Sequence, residues 1–405
     1  MWGIMPNYAK HLYTSVALPR VLYAVDIWCT PMNSKHVGPK TVGSAKAIKQ
    51  ITSAQRAGAL AITGGLRTSA MDTLNASAFL LPTPLLIRKW CFRAFIRMAT
   101  LPKDHLLHKP VNWKRTRMTK KHHGPLQNLA NTLSADTKAM EKIPSSRRNL
   151  SKTGELPFRI SIPAEKEASA CKAKNATEDI QVFTDGSAQN SKVGAATILI
   201  RKNRPNRILH FHLGPKAEHT VHEAELVGLL LALHLIGTEK RGATTCSVAV
   251  DNQAVLKAFD SELRKPGHHL AQEILLIANR IQKRRSKRKY SLMLRWMVGH
   301  IGIPGNEKAD REAKKAVDNH TSDKEHLPPY LRKPLLINSS AVTRKCNDKL
   351  NGEWKQDWHK TERGKRTRKI DSTTPLTKFL KTISNVKLSQ ADASRIASFS
   401  CSTFR

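Results

Sequence analysis

No run of apolar residues in this chain reaches the roughly 18–20 that would span a bilayer. The start, Met1-Trp2-Gly3-Ile4-Met5-Pro6, lacks a basic stretch followed by an apolar one, so no signal peptide is expected. The six cysteines, Cys29, Cys91, Cys171, Cys246, Cys346 and Cys401, include no Cys-x-x-Cys pair. That spacing argues against a zinc ribbon or knuckle, and a disulfide framework has little support in a chain of 405 residues. Free, mostly buried thiols and a reducing intracellular location are the expectation. Acid is scarce too: 31 Asp and Glu face 69 Lys and Arg, a formal charge of +38 at neutral pH. Such a surface draws polyanions, with nucleic acid the leading partner and an anionic membrane the runner-up. The 40% of hydrophobic residues suffices to bury a core somewhere in the chain.

The pattern divides the chain into four parts. Residues 1–103 read as helical, with Leu18, Val21, Leu22, Val25 and Trp28 at helical spacing. Residues 104–176 read as a basic linker of weak periodicity, with runs such as Lys120-Lys121-His122-His123. Residues 178–319 alternate strand and helix. Ile180, Val182 and Thr184 share one side of a strand that Asp185 is expected to end. Val193–Ile200 and 208–213 form a hairpin around 203–206, and Thr220-x-x-Glu223 is a capping box opening an apolar helix to Ile236. Cys246–Val250 is a short strand, Leu270–Ile281 a helix, and Leu292, Leu294, Trp296 and Val298 alternate along a last strand. Pro304 opens a helix to about Val317. Residues 320–405 read as a basic, largely flexible tail, with one helix near Trp354–His359.

Four acids in 178–319 stand at odd places. Asp185 follows Val182-Phe183-Thr184, Glu225 lies beyond the cap of the apolar helix, Asp251 follows Val248-Ala249-Val250, and Asp310 sits in the last helix. Singly, each has an ordinary explanation: a turn former at a strand end, or an i,i+4 partner for Lys314. Together they are costly, because buried carboxylates repel one another and lose ionisation. A hard divalent cation relieves both costs, and Mg²⁺ prefers oxygen ligands.

Asp185-Gly186-Ser187, Ala224-Glu225-Leu226, Asp251-Asn252-Gln253 and Trp296-x-x-Gly299-His300-x-Gly302-x-Pro304-Gly305-Asn306-Glu307-x-Ala309-Asp310 follow one another in that order. This series closely resembles the type 1 ribonuclease H family over about 140 residues. The resemblance implies an α/β fold, with a five-stranded mixed sheet flanked by helices. It implies that Asp185, Glu225, Asp251 and Asp310 hold two Mg²⁺ ions, with Mn²⁺ able to substitute, and that His300 assists from a loop. The implied activity is hydrolysis of the RNA strand of an RNA–DNA hybrid. Thr220 matches a backbone-contacting Thr, and Asn190 a substrate-contacting Asn. The chain departs from the family where an Asn pair touches the minor groove, having Val221 and His222 there, and in Asn252, where Ser is usual.

The basic run Lys283, Arg284, Arg285, Lys287, Arg288 and Lys289 reads as a phosphate contact, with a nuclear-import signal or a solvated turn as alternatives. His210-x-His212 and His268-His269 lack a Cys companion and do not suggest zinc. Further upstream, Leu18-Pro19-Arg20-Val21-Leu22-Tyr23-Ala24-Val25-Asp26-Ile27-Trp28 and Ala61-Ile62-Thr63-Gly64-Gly65-Leu66-Arg67-Thr68-Ser69 resemble the region after the reverse transcriptase palm in LINE-type (non-LTR) retrotransposon proteins. No two aspartates are adjacent anywhere, so the usual polymerase motif is missing. The reading is then a truncated retroelement product; its rival is a decayed remnant that binds nucleic acid by charge without cutting it.

Overall fold

The computed structural model describes residues 4–29, 44–107, 137–143, 156–201, 204–239, 243–259, 265–285, 290–299 and 302–372. The chain divides into two compact units, one of residues 1–98, 110–135 and 343–405, the other of 99–109 and 136–342.

The first unit is helical. Its described elements begin with α1 (Pro6–Leu12), continued by a π turn (Tyr13–Ala17) and α2 (Leu18–Val21), then α3 (Val25–Trp28), α4 (Ala45–Thr63), α5 (Met71–Ala78) and α6 (Thr83–Ala99). Gly64 closes α4 in the left-handed region, φ 64°, which costs glycine little. The buried Gln55 amide donates to Asn75 Oδ1 at 2.8 Å and to the Leu81 carbonyl at 2.9 Å, tying α4 to the segment around α5.

The second unit holds a six-stranded mixed sheet, in the order β1-β6-β5-β2-β3-β4. Its strands are β1 (Arg159–Ser161), β2 (Ile180–Gln189), β3 (Lys192–Arg201), β4 (Arg204–Pro215), β5 (Thr245–Val250) and β6 (Ser291–Trp296). β1, β6, β5 and β2 run parallel to their neighbours, and β2-β3-β4 is an antiparallel meander. The expected sheet had five strands. The sixth is β1, from within the supposed linker, paired with β6 from Arg159↔Met293 to Ser161↔Arg295. Three residues are too few to show a period of two in sequence. The same stretch also carries α7 (Lys166–Lys174), whose Ser169 hydroxyl donates to the Trp296 carbonyl at 3.0 Å.

Two hairpin details also differ from expectation. β2 does not end at Asp185 but runs to Gln189, and Arg204, Pro205 and Asn206 belong to β4 rather than to a turn. The β2–β3 connection is the two-residue loop Asn190-Ser191, both with positive φ (48° and 61°), the geometry whose twist suits a tight hairpin.

Helices cover both faces of the sheet. α8 (Val221–Thr238) and α10 (His268–Arg285) pack with Val182, Val193, Leu199, Val248 and Leu294 in the main core. α9 (Gln253–Lys257) lies between them in sequence. On the other face Phe183, Ile198, Ala249, Met297 and Ile303 meet Ala309 of α11 (Pro304–Val317). Alternate residues of β2 therefore look to opposite helices. Among the described residues only α8 is long and apolar enough to cross a membrane, and 72% of it is buried within the fold as a core helix.

Within the basic tail expected over 320–405 to be largely flexible, the described residues 320–372 form defined elements. Short 3₁₀ turns at Lys324–His326 and Pro329–Arg332 lead to α12 (Ser339–Lys360) and, after another turn, α13 (Lys365–Ile370). Val342, Cys346, Leu350, Trp354 and Trp358 are all buried, a stripe of one apolar residue every fourth position. In the first unit Trp358 packs on Ala76, and Arg88 forms an ion pair with Glu353. Residues 373–405 lie outside the described residues.

Candidate active site

The parallel pairing of β2 with β5 stops at Phe183↔Ala249. Beyond it the two strands have no common ladder, and β2 continues only against β3, with Asp185 opposite Ala196. Asp185 and Asp251 thus stand at the carboxyl ends of the β2–β5 pairing, where open α/β sheets place their ligand crevice. The sequence reading misplaced the strand end because Asp-Gly-Ser resembles a turn; the antiparallel partner β3 keeps it extended.

Close approach of α8 brings in the third acid. A Cβ at Gly186 would stand 2.7 Å from the Glu225 nitrogen and 2.9 Å from the Ala224 Cβ, so only glycine lets the helix lie against the strand here. α8 itself starts where expected: Thr220 accepts from the Glu223 backbone N–H at 3.2 Å, and Glu223 accepts from the Thr220 N–H at 2.8 Å. Glu225 follows, 3% exposed. The Trp296 indole N–H donates to the Asp251 carbonyl at 3.0 Å, and the Asn252 side chain caps α9 by accepting from the Ala254 N–H at 2.9 Å, so both sides of Asp251 are fixed.

One ligand oxygen from each of Asp185, Glu225 and Asp251 lies within 4.8 Å of the others. Among the described residues no other three His, Cys, Asp or Glu side chains come so close. Asp310, on α11, is near enough for its charge to act on Asp185. Its own carboxylate accepts from Lys314 Nζ at 2.6 Å, the i,i+4 pair foreseen as its ordinary explanation.

Burial and neighbouring carboxylates dominate the electrostatics of Asp185 and Glu225. Burial, then the charges of Asp251 and Asp310, push the Asp185 carboxyl up to about 7, against the opposing pull of Lys314 and the Gly186 N–H. Burial, then Asp251 and Asp185, push Glu225 well above the usual carboxylate range. Glu225 Oε2 is buried without a hydrogen-bond partner. An all-oxygen donor set, a buried orphan oxygen and two carboxyls pushed upward by burial and then by each other's charge all fit a hard divalent cation.

The other expected site residues fall elsewhere. Thr220 is the N-cap of α8, and Asn190 sits exposed in the β2–β3 hairpin loop. Lys283, Arg284 and Arg285 form the last turn of α10. Arg284 donates to the Gly237 carbonyl at 2.9 Å. Arg285 donates to the carbonyls of Ile236 and Ala243, each at 3.1 Å, and lies over the Tyr290 ring at 4.7 Å. These two arginines are therefore occupied with closing the C-terminal end of α8, a use of a basic run that charge counting does not reveal. Lys287, Arg288, Lys289 and His300 lie outside the described residues. His210 bonds Glu312 at 2.6 Å, His212 bonds the Ala316 carbonyl at 3.0 Å, and His269 bonds the Tyr330 hydroxyl at 2.7 Å.

Residues 177–318 match the RNase H family model, so an RNase H-like domain occupies that part of the chain. Similar solved structures include LC11-RNase H1 in complex with an RNA/DNA hybrid, at 18% identity and a TM-score of 0.27, covering 35% of this chain and 97% of that one. RNase H1 from the halophilic archaeon Halobacterium salinarum NRC-1 shows 18% identity and a TM-score of 0.26, covering 35% and 98%. The PFV RNase H domain shows 17% and 0.27, covering 36% and 97%. Comparison with curated proteins gives no match. The family match and the three-carboxylate cluster together support RNase H-like enzymatic activity at the level of the family.

Proposed function

We propose that the domain hydrolyses the RNA strand of RNA–DNA hybrids with two Mg²⁺ ions, and that Mn²⁺ can replace them. The observation that carries this reading is the convergence of Asp185, Glu225 and Asp251 within 4.8 Å at the end of the β2–β5 pairing, inside a segment that matches the RNase H family. Asp185 would hold both ions, Glu225 and Asp251 one of them, and Asp310 the other. Ions bound there supply the charge that activates a water and stabilises the leaving 3′ oxygen, with 5′-phosphate and 3′-hydroxyl products.

What the chain itself contributes is placement and exclusion. The β2 strand, the Gly186 contact and the Thr220–Glu223 box hold three oxygens before any ligand arrives, so little reorganisation is needed on binding. The apolar packing of Leu226, Val227 and Val250 behind them keeps water from screening the cluster from within. His300, two residues before Gly302, would assist product release or proton transfer without being a permanent ligand. Preference for the RNA strand would rest on 2′-hydroxyl contacts and helix shape. The net charge of +38 would add strong, salt-sensitive affinity for any nucleic acid. We assign the helical first unit to a remnant of the region after a LINE-type reverse transcriptase palm, and the whole chain to a retroelement product.

Cleavage of a labelled hybrid by the full chain, with Mg²⁺ and with chelator, tests the activity. RNA-strand products that require the metal are expected. Binding without cleavage at any metal concentration would leave the charge-driven remnant as the surviving reading.

A further inference from the structure

The second unit extends well beyond the family-matched segment, and one buried carboxylate explains how. Glu141 is fully buried. Its Oε1 accepts from the Ser339 backbone N–H and hydroxyl, both at 2.9 Å, and its Oε2 accepts from the Gly267 N–H at 2.6 Å. The strand-like bridge Met140↔Ile337 runs alongside, with the Ile337 N–H on the Ala139 carbonyl at 2.8 Å and the Glu141 N–H on the Ile337 carbonyl at 3.1 Å. The Asn338 N–H donates to the Glu218 carbonyl at 2.9 Å, just before the cap of α8. Two segments outside residues 177–318 are thus fastened to each other and to the entrance of the helix that carries Glu225.

The Gly267 end of the clamp reaches that helix directly. With φ +83°, Gly267 turns the chain into α10, and a Cβ there would stand 3.5 Å from Leu226 Cδ1 and 3.6 Å from Glu223 Cγ. Leu226 and Glu223 flank Glu225 in the first turns of α8. We infer that Glu141 is a positioning residue for the metal site: by holding the Gly267 turn and the Ser339 segment against the start of α8, it fixes the height at which Glu225 meets Asp185 and Asp251. This rests on the proposed metal-dependent hydrolysis and deepens it, because it makes residues 137–143 and 337–342 part of the catalytic unit.

The test measures metal binding rather than turnover. Mn²⁺ titration of the full chain, read by electron paramagnetic resonance, is compared for wild type and Glu141→Gln, with thermal unfolding recorded alongside. The amide must turn its NH₂ toward the N–H of either Gly267 or Ser339, donor against donor, while the volume is conserved. We expect Mn²⁺ affinity to fall about tenfold, the lower end of what loss of an outer support does to a metal site. Ser339→Ala removes only the hydroxyl donor and should shift affinity the same way by a smaller factor; it serves if Glu141→Gln fails to fold. Unchanged Mn²⁺ affinity in the folded variants, even with lowered thermal stability, would make Glu141 a packing residue and overturn the inference alone. No Mn²⁺ binding by the wild type would overturn the metal-site reading, and the inference with it.

Discussion

Replacing Asp185 by Asn should stabilise the metal-free protein and at the same time abolish its activity. A carboxyl with an ordinary value of 3.8 that is held at about 7 in the fold binds its proton more tightly folded than unfolded. The sign follows from linkage: between those two values the folded state carries more protons, so stability falls as pH rises. The whole penalty is present above about pH 7 and absent below the unfolded value. At roughly 1.4 kcal/mol for each tenfold change in proton affinity, ionising Asp185 in the fold costs about 4 kcal/mol. Asn keeps the shape and cannot ionise, so it should recover about 2–4 kcal/mol at pH 8, the lower figure allowing for an amide that finds fewer partners. Urea unfolding of wild type and Asp185→Asn in chelator, at pH 8 and again near pH 4, measures this. The two should converge at the lower pH. A variant less stable than wild type at pH 8 without metal would refute the view that the cluster is held at a cost for the sake of a cation. Added Mg²⁺ should stabilise only the wild type, by mass action on the folded state.

Asp251→Asn is expected to abolish hybrid cleavage while leaving circular dichroism near wild type; turnover at the wild-type rate would remove Asp251 from the metal set. Arg285→Gln should cost about 1–3 kcal/mol in thermal or urea unfolding, because its guanidinium is shared between the Ile236 and Ala243 carbonyls, yet hardly change the salt slope of nucleic-acid binding. Neutralising Lys287, Arg288 and Lys289 together should flatten that slope. Ser191→Gly should add about 0.5–1 kcal/mol, since Ser191 stands at φ 61° in a loop where glycine avoids the left-handed penalty. His300→Ala should slow single-turnover cleavage about 10²–10⁴-fold without removing its need for metal.

The sheet-bearing part of the fold was legible because its signals are local and strong. The Thr220-x-x-Glu223 box marks the start of α8, Pro304 that of α11, and alternation marks β2 and β6. The candidate acids were legible from their order, and three of them do come together in space. What the sequence concealed depends on partners far away in the chain. β1 is three residues long and a strand only because β6 offers an edge. α12 carries about one apolar residue per turn among charged and polar ones, so its composition reads as solvated while Val342, Cys346, Leu350, Trp354 and Trp358 are all buried. Arg284 and Arg285 sit in a run whose charge suggested phosphate, with no sign in the sequence that they also reach the carbonyls at the end of α8. Glu141 could not have been singled out: nothing around Met140-Glu141-Lys142 hints that its carboxylate meets N–H groups 126 and 198 residues further along.

The placement of acid in so basic a chain has its own logic. With 69 cationic side chains available, a carboxylate that merely needed neutralising could find a lysine or arginine, as Glu239 does with Arg201 and Arg207 and Asp310 does with Lys314. Glu225 makes no such ion pair among the described residues: burial in α8 and two neighbouring aspartates raise the cost of its charge, and its Oε2 is left without a donor. An arginine could in principle have closed the gap at the β2–β5 end, yet that would fill the space permanently, since its charge cannot be removed at any working pH. Under the proposed function the site exchanges small divalent ions, which calls for fixed oxygens and no permanently charged guanidinium lodged among Asp185, Glu225 and Asp251. On the same proposal the surrounding positive charge would serve a different end, drawing a polyanionic substrate toward carboxylates that alone would repel it.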